Sequence, residues 1–309
     1  MEYRDLGVTG LQVSAVSFGT APLGGVFGPA DEPTALRTVQ NALDSGINLF
    51  DSSPFYGQGL AEERLGRALK GKRSEVIIAT KAGRYGLDEF DFTPRRIREG
   101  VHRSLRLLHT DYVDILQLHD IEFVSLDGVF GAAYGELVRL RDEGKCRYIG
   151  MTGYPLATLR RAVTETDLDV VLSYAHFTLL NTELTDGLLP VADEHKTAVM
   201  NAAAVANGLL TTGGLRIDVP VSEAIVAAAQ RAAAICLRHG VDIGHLANQF
   251  AIQRSGCATT VIGTTNPLHL DSAVRAVTEP LDEDLLTEVL AATASVRQES
   301  WRTGLPENN

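Results

Sequence analysis

The chain has 309 residues, 45% of them apolar, and 39 Asp and Glu against 28 Lys and Arg give a formal net charge of −11. That acidic balance excludes the basic face a nucleic-acid partner requires. No apolar run approaches the roughly 20 residues of a membrane helix; the longest candidate, 224–237, is broken by Gln230 and Arg231. Residues 1–5 lack the apolar core of a signal peptide. Cys146, Cys236 and Cys257 show no Cys-x-x-Cys or Cys/His ligand spacing. The expectation is a cytoplasmic protein with reduced thiols, no metal, and neither a nucleic-acid nor a membrane partner.

Residues 3–7 read as a short hairpin arm leading into the first strand and plugging a barrel floor. Strand candidates follow at 13–18, 47–50, 76–80, 112–118, 147–151, 170–174, 198–202 and 259–263. Helical spacing fills the intervals at 31–45, 60–69, 94–108, 129–143, 156–164, 183–195, 221–239 and 268–277, and 283–296 precedes a polar tail from about 298. The first helix opens Asp31-Glu32-Pro33, a cap residue with Pro in the first turn, and ends at Ser45-Gly46. Eight strand–helix units without a linker predict an α/β fold: one (β/α)8 TIM barrel domain over 1–309. An open doubly wound sheet is the alternative. The barrel is preferred because polar residues of chemical interest follow several strands rather than one switch point.

Those residues are Asp51, Tyr56, Lys81 and His119, at or just after the ends of the second, third and fourth strand candidates. In a parallel barrel all four meet at one rim. A tyrosine has a free pKa of about 10, and a neighbouring ammonium favours its phenolate. Lys81 is placed to supply that charge, Asp51 to hold Lys81, and His119 to hydrogen-bond a substrate oxygen. The group suits proton transfer to or from a carbonyl oxygen.

The segments Gly46-Ile47-Asn48-Leu49-Phe50-Asp51, Tyr56-Gly57, Glu62-Glu63-Arg64-Leu65-Gly66, Thr80-Lys81, Leu118-His119 and Gly144-Lys145 resemble the aldo-keto reductases over nearly the whole chain. The resemblance implies a (β/α)8 barrel that binds a nicotinamide dinucleotide at the strand C-termini without a Rossmann fingerprint, and none is present here. It puts the family's tetrad on Asp51, Tyr56, Lys81 and His119. Segments 118–123, 150–156 and 173–177 are similar to the aldose dehydrogenase branch, which oxidises pyranoses such as L-galactose or L-fucose to lactones. The alternatives are an NADPH-dependent aldehyde or carbonyl reductase, a pyridoxal dehydrogenase, and, from another class, a cofactor-binding regulatory subunit. The implied partner is a small sugar or aldehyde, with the oligomeric state left open.

By the same resemblance the cofactor contacts fall on Gly19, Thr20, Asp51, Thr152, Gly153, Ser173, Tyr174, Ala202, Ala203, Val205, Gly208, Gly263, Thr264, Thr265, His269 and Ser272. Several depart from the family pattern. Thr152-Gly153 replaces Ser-Asn, Ser173 or Tyr174 replaces Gln, and Ala202 stands where a Tyr often stacks on the nicotinamide. Gly263 and His269 replace the Lys and Arg that clamp a 2′-phosphate, which favours NAD, with NADP the alternative if Arg275 fills in. Aromatic faces for substrate, besides Tyr56 and His119, are expected from Phe27, Tyr85, Phe123 and Trp301.

Overall fold

The computed structural model describes residues 1–215 and 219–309. Strands β3 (Val16–Gly19), β4 (Leu49–Asp51), β5 (Ile77–Ala82), β6 (Val113–Leu118), β7 (Cys146–Gly153), β8 (Val170–Tyr174), β9 (Ala198–Ala202) and β10 (Thr259–Ile262) close into a barrel in that order. All eight pairings are parallel, from Phe18 opposite Phe50 round to Ile262 opposite Phe18. The expected (β/α)8 TIM barrel is the fold. Ahead of it, β1 (Tyr3–Asp5) and β2 (Gln12–Ser14) form an antiparallel hairpin.

Alternation along the strands divides the apolar residues into two packed sets. Leu49, Ile77, Ile115, Leu172 and Met200 fill the barrel interior, and Leu6, Leu11 and Val13 of the hairpin join them, so the hairpin plugs the floor. Phe18, Phe50, Leu116 and Val171 face the other way, into the helical layer. Burial on both faces explains why the strands read as near-continuous apolar runs.

The helices begin where the sequence offers side-chain caps. Asp31, Thr93, Ser222, Asp242 and Asp282 each accept a backbone N–H three residues on, which satisfies one of the donors the first turn leaves open. Three expectations are corrected. The run 13–18 is two strands, because the chain leaves the hairpin at Ala15 and enters the barrel at Val16. The segment 183–195 is two short helices, Leu184–Gly187 and Leu189–Glu194, divided at Leu188 just before Pro190, whose ring cannot continue the preceding turn. A further helix, Ile243–Arg254, was not anticipated. It has no polar face to betray it: Asn248 and Gln249 are buried along with Leu246 and Phe250. Among the described residues, no helix is long and apolar enough to cross a membrane.

Candidate active site

Asp51 ends β4, Lys81 lies near the end of β5, and His119 follows β6, so three adjacent strands deliver them to one rim. Lys81 Nζ donates to Asp51 Oδ1 at 2.5 Å, to the Ser52 carbonyl at 2.8 Å and to Tyr56 Oη at 3.5 Å. Asp51 Oδ2 also accepts from Gln117 Nε2 at 3.3 Å. Tyr56 reaches the group from its loop because two glycines let backbones touch. A Cβ on Gly24 would meet the Tyr56 carbonyl at 2.5 Å, and one on Gly57, where φ is +64°, would meet the Gly24 oxygen at 2.5 Å. Any side chain at either position would force the Tyr56 loop and the loop after β3 apart.

His119 stands edge-on to Tyr56, with ring centroids 5.8 Å apart at 88°. Its Nδ1 is 2.9 Å from Ser53 Oγ, which already accepts the Phe55 N–H at 3.1 Å. The Ser53 hydroxyl proton is free to donate to Nδ1, an arrangement that puts the ring hydrogen on Nε2. Asp120 Oδ2 lies 3.6 Å from His119 Nε2 and pairs with Arg84. The Arg84 guanidinium lies over Phe55 at 4.0 Å, Phe90 at 5.1 Å and Phe123 at 5.5 Å.

Burial governs the protonation states. It pushes the His119 imidazole down to about 3, so the ring is neutral and Nε2–H is a hydrogen-bond donor across the neutral range. Burial also opposes the Lys81 ammonium, but the Asp51 carboxylate and Tyr56 outweigh it and raise its pKa. The Tyr56 phenol is raised by burial, which exceeds the lowering exerted by Lys81. The expectation that the ammonium would bring Tyr56 below its free value is corrected: Tyr56 is a protonated phenol at neutral pH, beside a permanent cation. The arrangement can hold an oxygen between a phenol and an imidazole N–H and pass it a proton.

The other anticipated residues divide by position. Gly19, Thr20, Thr152, Gly153, Tyr174 and Ala202 lie at strand ends on the same rim. Thr20 Oγ1 donates to Ser52 Oγ at 2.8 Å. A side chain on Gly153 would start 3.0 Å from Glu122 Oε2. Alternation resolves the choice on β8: Leu172 and Tyr174 belong to the interior set and Val171 to the outer one, so Ser173 points outward and is not at the rim. Ser272 is also engaged elsewhere, 2.9 Å from His245 Nδ1. Tyr85 is a packing residue: its hydroxyl donates to the Arg96 carbonyl at 3.0 Å and its ring lies 3.6 Å beneath the Arg96 guanidinium. Phe123 stacks on Phe90 at 4.5 Å, and Trp301 stacks on Tyr154 at 4.5 Å, which ties the tail to the rim after β7. Phe27 is 39% exposed in the loop after β3.

The remaining side of the rim carries groups of the kind that hold a dinucleotide. After β9, Ala203, Ala206 and Asn207 hold positive φ, and the loop runs past Val205 to Gly208. Asn207 Nδ2 is a buried donor with no partner. After β10, Thr264 Oγ1 accepts from Asn266 N at 3.0 Å, and Asn266 caps the helix Pro267–Arg275. Strained backbone, an orphan donor and a helix N-terminus on neighbouring strands suit a bound pyrophosphate. Thr265 and His269 flank that terminus, with His269 exposed. Sequence reasoning missed Ser53, Arg84, Gln117, Asp120 and Asn207; of these, only Asn207, in an Asn-Gly pair after a strand, carried a usable local signal.

A closed parallel barrel with a Lys–Asp pair, a tyrosine and a neutral histidine at its C-terminal rim is the architecture of a nicotinamide-dependent oxidoreductase. The chain belongs to the aldo/keto reductase family, whose model matches residues 15–293. It is 40% identical over 318 residues to L-galactose dehydrogenase of Arabidopsis thaliana, covering 100% of this chain and 99% of that one. It is 32% identical over 290 residues to D-threo-aldose 1-dehydrogenase of a Pseudomonas species, covering 84% and 88%. Among solved structures, the holo form of aldo-keto reductase AKR11C1 from Bacillus halodurans superposes with a TM-score of 0.80 at 27% identity, covering 98% of this chain and 100% of that one. The protein is an oxidoreductase whose cofactor class is a nicotinamide dinucleotide.

Proposed function

We propose that the enzyme is an aldose 1-dehydrogenase that uses NAD to oxidise a pyranose of the L-galactose or L-fucose type at C1 to its lactone. One observation carries the reading: the buried Asp51–Lys81 pair within reach of half-buried Tyr56 and beside neutral His119, in a chain with full-length similarity to a sugar dehydrogenase. When bound, the nicotinamide supplies the two-electron redox chemistry. His119 Nε2–H donates to the anomeric oxygen and fixes its direction. Tyr56 Oη takes the proton of the anomeric hydroxyl in oxidation and returns it in reduction. Lys81 stabilises the phenolate that must be present before oxidation and that is left after reduction, and Asp51 keeps Lys81 charged and aimed.

Because burial holds Tyr56 protonated at neutral pH, sugar oxidation should quicken as pH rises and the phenolate becomes populated. Lys81→Met should move that rise to still higher pH. The direct test is product analysis: aldoses incubated with NAD⁺ should yield the lactone or its hydrolysed acid, and the 1-O-methyl glycoside should be inert because its anomeric oxygen carries no proton. Reduction of aromatic aldehydes with no sugar oxidation would move the enzyme to the general carbonyl reductases.

The preference for NAD is supported by the segment after β10, where Thr264, Thr265 and Asn266 carry no charge. Arg275, the nearest substitute in sequence, is held by Asp271 at 3.0 Å and Glu279 at 2.8 Å. A lysine at 263 is sterically blocked, since a Cβ there would lie 2.9 Å from the Gly19 oxygen. His269→Arg should therefore tighten NADP roughly tenfold, the value of one charge-assisted contact, with little effect on NAD. Tighter binding of NADP than NAD by the unaltered protein in a fluorescence titration would overturn this preference.

A further inference from the structure

We propose that Asp120 is a specificity-determining residue: its carboxylate, held by Arg84, receives the hydroxyl on the carbon next to the one oxidised, so the site selects substrates with oxygens on adjacent carbons. The inference rests on the sugar reading above and deepens it.

Asp120 is the residue after His119 and adopts a left-handed backbone, φ +52°. Asp and Asn tolerate that conformation better than other side chains. The turn brings Asp120 Oδ2 to 3.6 Å from His119 Nε2. That is too long for a hydrogen bond between them, so the imidazole N–H and the carboxylate oxygen stand side by side with capacity to spare. His119 Nδ1 is already engaged by Ser53, which leaves Nε2 as the nitrogen available to a ligand. The pair is a donor beside an acceptor. A separation of 3.6 Å lets two oxygens on adjacent carbons reach one group each.

The carboxylate is built in. Asp120 is 5% exposed, and its backbone N–H donates to Thr152 Oγ1 at 3.0 Å, while that hydroxyl lies 3.3 Å from Oδ1. Arg84 pairs with Oδ2 and is confined by the Phe55, Phe90 and Phe123 rings. Arg84 Nε is itself buried without a partner. A guanidinium caged in this way holds the acid ionised and aimed, without filling every lone pair. A sugar satisfies both groups, with the anomeric oxygen on Nε2–H and the neighbouring hydroxyl donating to Oδ2. A plain aldehyde or a 2-deoxy sugar satisfies only the first and leaves a buried carboxylate short of a donor, and sites built around such a donor reject analogues lacking it.

The test compares kcat/KM for L-galactose against 2-deoxy-L-galactose, with D-arabinose against 2-deoxy-D-ribose as a second pair. Unaltered protein and Asp120→Asn are measured with NAD⁺. Asn keeps the left-handed turn, and the thermal midpoint and NAD⁺ titration of the variant establish that it is folded and loaded. The unaltered enzyme should favour the parent sugar at least about tenfold in one pair, and Asp120→Asn should lower the parent's kcat/KM and bring that ratio to within about threefold. Equal use of parent and 2-deoxy sugar by the unaltered enzyme, or full discrimination retained by Asp120→Asn, overturns the inference while sugar oxidation stands. Turnover of neither pair overturns the sugar reading and this inference with it.

Discussion

Asp114 sits near the start of β6, at the plugged end of the barrel, and Asp120 lies just past the other end of the same strand; both are buried. Asp114 is saturated with donors: Arg73 Nη2 at 2.7 Å, the Ile78 N–H at 2.9 Å and Arg147 Nη1 at 3.0 Å. Those donors come from both flanking strands and their approaches, so the charge locks β5, β6 and β7 in register. Asp120 instead occupies a strained turn, shares Arg84 with a cage of aromatic rings and faces a histidine it does not bond. The floor places its polar groups so that nothing more can bind them. The rim leaves them short of partners and tolerates strain, which a ligand can exploit.

The contrast predicts a division between turnover and stability. Tyr56→Phe should show the largest effect, a fall in kcat of about 10²–10⁴-fold, because it removes only the proton-carrying oxygen. Cofactor affinity and thermal midpoint should hardly move, since the ring remains. Stopped-flow measurement of the reduced-nicotinamide signal isolates the step, and a variant that keeps a tenth of normal kcat with chemistry rate-limiting does not fit. Asp114→Asn should do the opposite. Losing the charge that gathers Arg73 and Arg147 should cost about 2 kcal/mol of unfolding free energy in a urea titration, with kcat altered by less than twofold. A large kcat loss at unchanged stability would show that the floor is coupled to the chemistry after all.

The same contrast explains what was legible in the sequence. The barrel strands announced themselves because burial on both faces requires continuous apolar runs. Lys81 and Asp51 stood out only together with Tyr56 and His119, because a charge at a strand end is ordinarily solvated or paired, whereas these four residue types rarely coincide at the ends of successive strands. The helix Ile243–Arg254 stayed hidden for the converse reason: buried nearly all round, it carries no amphipathic stripe. Ala15 gave no sign that the chain changes sheets there, since the residues on both sides of it are buried. Ser53, Arg84, Gln117 and Asp120 are ordinary polar residues in sequence and acquire meaning only through what lies across the rim. Tyr85 misled because an aromatic in a rim loop reads the same whether it faces the substrate or, as here, a neighbouring helix.

The effect confined to stability and to its pH dependence lies at Glu122, two residues beyond Asp120. Its side chain is buried, Oε1 accepts the Tyr154 N–H at 3.1 Å, and Oε2 has no partner. Burial, reinforced by the charge of Asp120, raises its pKa from 4.5 to about 8. The folded protein therefore keeps a proton that the unfolded chain releases above its own, lower pKa. The stability this contributes is fully present below about pH 4.5 and is lost as pH rises through about 8, with a slope of at most about 1.4 kcal/mol per pH unit. Glu122→Gln mimics the protonated acid and does not titrate. Relative to the unaltered protein, the variant should gain stability between pH 5.5 and 8 in paired urea titrations. An equal difference at both pH values would mean that Glu122 is ionised in the fold. Asp120→Asn provides the control: removing the neighbouring charge lowers the Glu122 pKa, so the pH-dependent gain from Glu122→Gln should shrink in that background. It should not shrink in an Asp114→Asn background, where the altered carboxylate lies at the far end of the strand.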